Sequence, residues 1–118
     1  MGQQRDLKER TMRFALDVMQ FGRRLPEDTE GRHIRGQLFR AGSSVAANYR
    51  SACRGRSRAD FIAKLGIAIE EADETQFWLD VVAAAKMVPA GAESGLRQEA
   101  NELVAILIQS QKTARTNR

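Results

Sequence analysis

The chain has 118 residues, of which 42% are hydrophobic and 29% are charged, and it carries a formal net charge of +4. This length and composition predict one folded domain over residues 1–118 and exclude an intrinsically disordered protein. No apolar run approaches the roughly 20 residues that span a bilayer, and the first residues lack a signal peptide's apolar core, so we expect a cytoplasmic protein with no membrane partner.

Two segments have apolar residues in alternating steps of four and three, which is the spacing of one face of an amphipathic helix. The first predicts a helix over about 5–25, which Pro26 ends. The second predicts a helix over about 32–54, which ends where Gly55 offers a left-handed exit. The core positions predicted for these helices are Leu7, Thr11, Phe14, Val18, Phe21 and Leu25, then Ile34, Leu38, Ala41, Val45, Asn48 and Ala52.

Two further helices are predicted in the second half of the chain. Ser57, followed by Asp60, resembles a capping box and begins a helix over about 58–88. Pro89 and the residues after it break that helix, and a fourth follows over about 94–114.

Apolar residues surround most of the third and fourth helices, around Ile67 and along Leu103–Ile108 respectively. A helix that is apolar nearly all round must be covered on two sides, which indicates a subunit interface. The alternative is uneven packing within a monomer.

The predicted fold class is all-α, because no segment alternates like a strand. Four helices with short connections favour an antiparallel up-down-up-down bundle, and the additional apolar surface favours a homo-oligomer. In this topology, one pole receives the start of the first helix, the turn after the second, and the end of the fourth.

Positive charge should collect at this pole, because the topology places 12 basic and three acidic residues there, a net charge of +9, and leaves −5 for the rest of the chain. Arginine's fork of donors fits a phosphate, so unpaired arginines there would bind RNA or DNA. The alternative is that the pole is a solvated helix end whose arginines only keep the protein soluble. Tyr49, next to Arg50, is the aromatic residue that could stack on a base. The predicted nucleic-acid-binding residues are Arg5, Arg10, Arg13, Arg50, Arg54, Arg56 and Arg58, and the same pole would also receive Lys112, Arg115 and Arg118.

A second group of polar residues is expected to be structural or to lie at an interface. Arg40 should lie level with positions around 73 on the neighbouring helix, where Glu70, Asp73 and Glu74 can pair with it. Asn48 falls on the predicted core face of the second helix, where it would fix register as a buried asparagine does in coiled coils.

Residues with catalytic or metal-binding chemistry are sparse. His33 and Cys53 are the only histidine and cysteine, and 20 residues along one predicted helix keep them too far apart for a catalytic dyad. The acids near position 73 have no histidine companion, and no glycine-rich loop follows a strand. We therefore expect no enzymatic activity, no metal and no cofactor.

Three segments carry a family resemblance, and they are Leu38–Tyr49, Cys53–Phe61 and Leu65–Leu79. They resemble a family of bacterial four-helix bundle proteins first noticed as open reading frames in intervening sequences of 23S ribosomal RNA genes. That family includes the accessory variability protein of diversity-generating retroelements. The resemblance covers about residues 5–110, and its most specific part is Arg40–Trp78.

The resemblance implies a four-helix protomer that assembles into a barrel-like homopentamer with a basic surface. Because the retroelement member binds nucleic acid and a reverse transcriptase, the resemblance implies a reverse transcriptase or another protein as partner. Arg40, Ser44, Val45 and Asn48 match the family pattern. Asn48–Ala52 stands where the family often has Asn-Ile-Ala-Glu-Gly, so this chain exchanges an acid for positive charge.

Two hypotheses of function follow. In the first, the protein is a non-enzymatic oligomeric adaptor that binds RNA or DNA through the basic pole, mostly by phosphate contacts. In the second, it is a protein-binding scaffold that presents the pole to an acidic protein and has no nucleic-acid role.

Overall fold

The computed structural model describes residues 2–117, which form four α-helices and no strand. The prediction of an all-α protein with four helices is confirmed. The helices are α1 (Gly2–Gly22), α2 (Thr29–Cys53), α3 (Arg58–Ala84) and α4 (Ser94–Thr116).

The helices pack in chain order around an elongated bundle of 50 × 21 × 20 Å. Helix α2 packs on α1 and α3, α4 packs on α3, and α4 returns to make a lighter contact with α1. Helices α2 and α3 are antiparallel, because a connection of only residues 54–57 joins them and Arg40 still bonds Glu71 far from that turn. Helices α3 and α4 are antiparallel too, since Gln111 near the end of α4 bonds the carbonyl of Ile62 near the start of α3. In the described part of the chain, no helix is both long enough and apolar enough to cross a membrane.

Capping residues set where two of the helices begin. The side chain of Asp28 accepts a hydrogen bond of 2.7 Å from the Gly31 amide, so α2 begins at Thr29, before the predicted start at 32. Gly31 is required here, because a Cβ atom would lie 1.9 Å from the carbonyl oxygen of Pro26. Ser57 accepts from the Asp60 amide at 3.1 Å and caps α3.

Two helices end earlier than the periodicity predicts. Helix α1 stops at Gly22, and a turn carries the chain to Leu25, which is still buried. Helix α3 stops at Ala84 rather than near 88, because Lys86 adopts a left-handed backbone with a φ of 58°.

The core lies along the bundle axis and contains most of the predicted positions, with one exception on α2. Tyr49 is buried there with 2% exposure, while Asn48 is half-buried and donates a hydrogen bond of 2.9 Å to the Ser44 carbonyl. The core face therefore steps from Val45 to residue 49 rather than 48, since a period of 3.6 allows steps of three or four. The prediction that Asn48 lies in the core is wrong, and Tyr49 is too buried to stack on a base.

Candidate nucleic-acid interface

The predicted topology places the start of α1, the turn after α2 and the end of α4 at one pole, and these segments do meet at one end of the bundle. Gln3 of α1, Tyr49 of α2, Phe61 of α3 and Thr113 of α4 line a single cleft there. On the adjoining side, Lys8 and Arg50 line one groove between α1 and α2. The start of α1, the α2–α3 connection and the end of α4 thus share one surface.

This surface is rich in exposed arginines that have no acidic partner. Within residues 2–117, none of them has a carboxylate oxygen within 4.0 Å. The ion pair near it joins Lys64 to Asp60 at 3.3 Å, while Arg118 of the predicted pole lies outside the described residues. We name this surface the basic end, and it consists of Arg5, Arg50, Arg54, Arg56, Arg58 and Arg115.

Arg10 does not belong to the basic end. Its Nε atom lies 2.7 Å from a Glu99 oxygen, and its Nη2 atom lies 2.7 Å from a Glu102 oxygen, because α4 returns alongside α1. These bonds, that to Glu99 above all, raise the pKa of Arg10. The prediction that Arg10 is free to bind phosphate is therefore wrong.

Arg13 is exposed and lacks a carboxylate partner among the described residues, but it lies away from the basic end. With 1.5 Å of rise per residue, it is about 16 Å along α1 from Gly2. It lies about level with Ala46 of α2, since the two helices are antiparallel and Val18, five residues further along α1, packs against Gly42, where an added Cβ would lie 2.9 Å from it. Arg13 is thus placed near the middle of the bundle.

Arg40 makes a cross-helix ion-pair cluster. It contacts Glu71 at 3.2 Å and also Glu74, and the indole nitrogen of Trp78 donates to Glu74 at 3.2 Å. The bonds to Glu71 and then Glu74 raise the pKa of Arg40, and the bond from Arg40, followed by that from Trp78, lowers the pKa of Glu74.

The expected partners of Arg40 are therefore only partly correct. Glu74 does pair with it, whereas Glu70 and Asp73 are exposed and make no ion pair in the described part of the chain. Glu71 takes the remaining place, because positions 71 and 74 are about one turn apart on the face of α3 that packs on α2.

Other arginines away from the basic end also have carboxylate partners. Arg97 contacts Asp80 at 2.8 Å and Glu93 at 3.6 Å, and Arg35 contacts Glu27 at 2.6 Å. The charge of these cations is offset locally. Arg13, Arg23, Arg24 and Arg32 also lie away from the basic end and make no ion pair within residues 2–117. The basic end is therefore distinguished by the number of unpaired arginines that meet on one surface.

Comparison with known proteins assigns the family. The sequence model of the 23S rRNA-intervening sequence protein family matches residues 3–109. The chain belongs to this family. No curated protein matches it significantly. It is similar to a protein of unknown function from the S23 ribosomal protein family of Bacteroides thetaiotaomicron, solved by crystallography, with 29% identity, a TM-score of 0.85, and coverage of 92% of this chain and 97% of the other.

One surface of this 23S rRNA-intervening sequence family member was not predicted from the sequence. Met12, Leu16 and Phe39 are 52%, 44% and 44% exposed and lie along the groove between α1 and α2. A signal was present, because Met12, Leu16 and Met19 repeat with helical spacing beside the core positions of α1. By contrast, Val104 and Ile106 of α4, where an interface was expected, pack partly against the core.

Proposed function

We propose that this protein is a non-enzymatic oligomeric adaptor that binds RNA or DNA through the phosphates of the nucleic acid. The observation that carries the proposal is the basic end, where six exposed arginines from four helices and a connection lack carboxylate partners in residues 2–117. Its family, named for 23S rRNA intervening sequences, is consistent with a nucleic-acid partner.

The distribution of the arginines favours phosphate as the ligand. An arginine that already holds a carboxylate must give up that bond to hold a phosphate, whereas an exposed unpaired arginine gives up only water. Several such groups on one surface release counterions from nucleic acid together, so binding should be strong at low salt and should show little sequence preference.

An oligomer would multiply this effect. In the barrel-like homopentamer implied by the family resemblance, each subunit would contribute one basic end to a common surface. Neighbouring phosphates of one strand would then meet several basic ends at high effective concentration. A reverse transcriptase or another protein would be the second partner that makes the protein an adaptor.

Charge reversal at the α2–α3 connection tests the proposal. The variant R54E/R56E/R58E should lose about 100-fold or more in affinity for a labelled single-stranded RNA in a mobility-shift assay near physiological salt, because three phosphate contacts become repulsions. Helicity measured by circular dichroism should stay unchanged, since all three side chains are exposed.

Two double variants with equal charge change supply the control. R54E/R56E reverses the charge at the basic end, and R24E/K86E reverses the same number of exposed cations at the opposite end. The first should weaken binding far more than the second. Equal losses would indicate a simple response to net charge and would contradict the proposed surface. Wild-type protein that purifies free of nucleic acid and shifts neither RNA nor DNA would instead favour the protein-binding scaffold.

A further inference from the structure

The cleft at the basic end is walled by all four helices, which contribute Gln3, Tyr49, Phe61 and Thr113 in chain order. Its volume is about 240 Å³. Pockets for drug-sized ligands are typically about 300–1,000 Å³, so this cleft fits a smaller group. Because packed helices form its walls, the fold rather than a loop sets its shape.

The lining of the cleft combines aromatic and amide side chains. Phe61 is half-buried, and Tyr49, with 2% exposure, can form only the floor. Gln3, Gln4 and Gln109 are exposed and also line the cleft. An amide both donates and accepts hydrogen bonds without carrying a charge. An aromatic ring beside several amides suits an unstacked nucleic-acid base, which has a flat apolar face and an edge of donors and acceptors.

Arginines of the basic end stand around this cleft. Three of them lie within one helical turn of a residue in its lining. They are Arg5 beside Gln4, Arg115 beside Ala114, and Arg58 one turn before Phe61. Within residues 2–117 the lining itself contains no charged side chain, so positive charge surrounds an uncharged cavity. A ligand that matches both features has anionic groups on either side of a neutral, planar ring.

We propose that this cleft binds one unstacked base of a single-stranded RNA or DNA, while the surrounding arginines hold the phosphates on either side of that base. The face of the base would lie against Phe61, and its edge would exchange hydrogen bonds with the glutamine amides. In a duplex, the same base must first be unpaired and unstacked, so the cleft favours single strands. This inference rests on the proposed function and specifies the state of the nucleic acid that binds.

A base stacked in the cleft is compatible with the low sequence preference expected of phosphate contacts. Every base has a flat face, so stacking tolerates any sequence. A free nucleotide has the same chemistry, but it carries phosphate on one side only. The basic end has six arginines, more than one phosphate group can contact, and a strand supplies further phosphates at each nucleotide. The number of arginines therefore favours a strand over a free nucleotide.

The test compares two DNA strands of equal charge. One is a labelled oligothymidylate of about 10 nucleotides, a length that one small single-strand-binding domain covers, and the other is an abasic strand of the same length. In a fluorescence-anisotropy titration, wild type should bind the abasic strand about tenfold more weakly, because that strand has no base to place in the cleft. Equal affinities for the two strands would overturn the proposal.

A matched pair of double variants of α4 locates the base. S110L/A114L fills the cleft with side chains that have no ring to stack on a base, and N101L/A105L places the same two leucines on exposed positions about 14 Å away along the helix. The first should bind oligothymidylate only as tightly as the abasic strand, with its affinity for the abasic strand within about twofold of wild type. The second should behave like wild type. A cleft variant that keeps the wild-type preference would contradict the assignment.

A variant of another helix repeats the test. F61L removes the aromatic ring and keeps most of the apolar volume, so it should weaken binding of oligothymidylate several-fold and leave binding of the abasic strand unchanged. Circular dichroism of each variant identifies loss of folding. If F61L is folded and binds oligothymidylate as wild type does, the base does not stack on Phe61 and the proposal fails.

The result is separable from the test of the proposed function. R54E/R56E/R58E retains the lining of the cleft and should lose affinity for both strands together, whereas S110L/A114L should lose affinity for oligothymidylate alone. Wild type that binds both strands equally would contradict only the base cleft, and wild type that binds neither would contradict the proposed function and this inference with it. An affinity for thymidine monophosphate equal to that for oligothymidylate would overturn the assignment to a strand.

Discussion

The arginines at the basic end and those near the middle of the bundle are the same residue type in different surroundings. In the middle, Arg10 and Arg40 each reach two carboxylates of a neighbouring helix. At the basic end, Arg54, Arg56 and Arg58 lie where the chain turns, and the neighbouring helix ends bring more cations. The difference shows that an arginine's neighbours across the bundle decide whether it joins helices or remains available to a partner.

This comparison also separates two kinds of electrostatic contribution. A cross-helix pair of Arg10 or Arg40 acts on folding, since it forms only when two helices have packed in register. An unpaired arginine contributes little to folding and produces a long-range field that salt screens. Each of the following experiments changes one region and measures stability, nucleic-acid binding or both.

The largest effect is expected for R10M, which keeps the long side chain but removes the charge. Removal of the guanidinium charge should lower the free energy of unfolding by about 1 kcal/mol, because Glu99 loses its closest cation. Thermal unfolding followed by circular dichroism should show a fall in Tm of about 4 °C. The affinity for RNA should stay within about twofold, since Arg10 is not expected to touch phosphate.

The matched control for this prediction is R13M on the same helix. Arg13 is exposed and makes no ion pair in residues 2–117, so its loss should leave the Tm unchanged. If R10M and R13M had the same Tm, the cross-helix pair would not contribute to stability.

A smaller effect is expected when an acid is placed beside the basic end. Ser51 precedes Arg54 by one helical turn. In the family pattern that this chain resembles, glutamate often stands at the position of Ser51. S51E should lower the affinity for RNA about threefold, because the new carboxylate offsets the charge of Arg54. Titration of S51E against S51Q, which has a similar volume and no charge, measures the effect. Equal affinities would mean that Arg54 does not contact the nucleic acid.

The smallest effect concerns acid stability at the middle of the bundle. Arg40 and Trp78 lower the folded-state pKa of Glu74, so its carboxylate stabilises the protein above its ordinary pKa of about 4.3. This contribution is lost as the pH falls through the lowered folded-state pKa. In E74Q the decline of Tm on acidification should therefore be shallower than in wild type. E70Q, which removes an exposed acid with no ion pair in the described residues, should decline like wild type.

Much of the fold could be predicted from periodicity alone. Helices whose apolar residues form one stripe, such as α1 with Phe14 and Val18 buried, identify their own core face. Asn48 was predicted in the core, but Tyr49 occupies that core position. This shows the limit of prediction from periodicity, because steps of three and of four residues are both compatible with a helix. The end of α3 at Ala84 depended on the backbone of Lys86, which has no signal in the pattern of apolar residues.

Some features of the candidate site could likewise be predicted from the sequence, and others could not. The position of the start of α1 beside the end of α2 and the start of α3 could be predicted, since helix direction alternates along the chain. The pairing of Arg10 with Glu99 could not, because it depends on the axial register of α4 against α1, and no local pattern encodes a shift of one turn.

The sequence by itself determined which segments are helical, the alternating direction of the helices and the excess of arginine near the α2–α3 connection. These properties depend on local spacing and on connectivity. Only the tertiary structure decided which arginines carboxylates neutralise and which apolar side chains remain exposed along the α1–α2 groove. The physical reason is that both outcomes depend on distances of a few ångströms between residues far apart in the chain, and these distances exist only after the helices have packed.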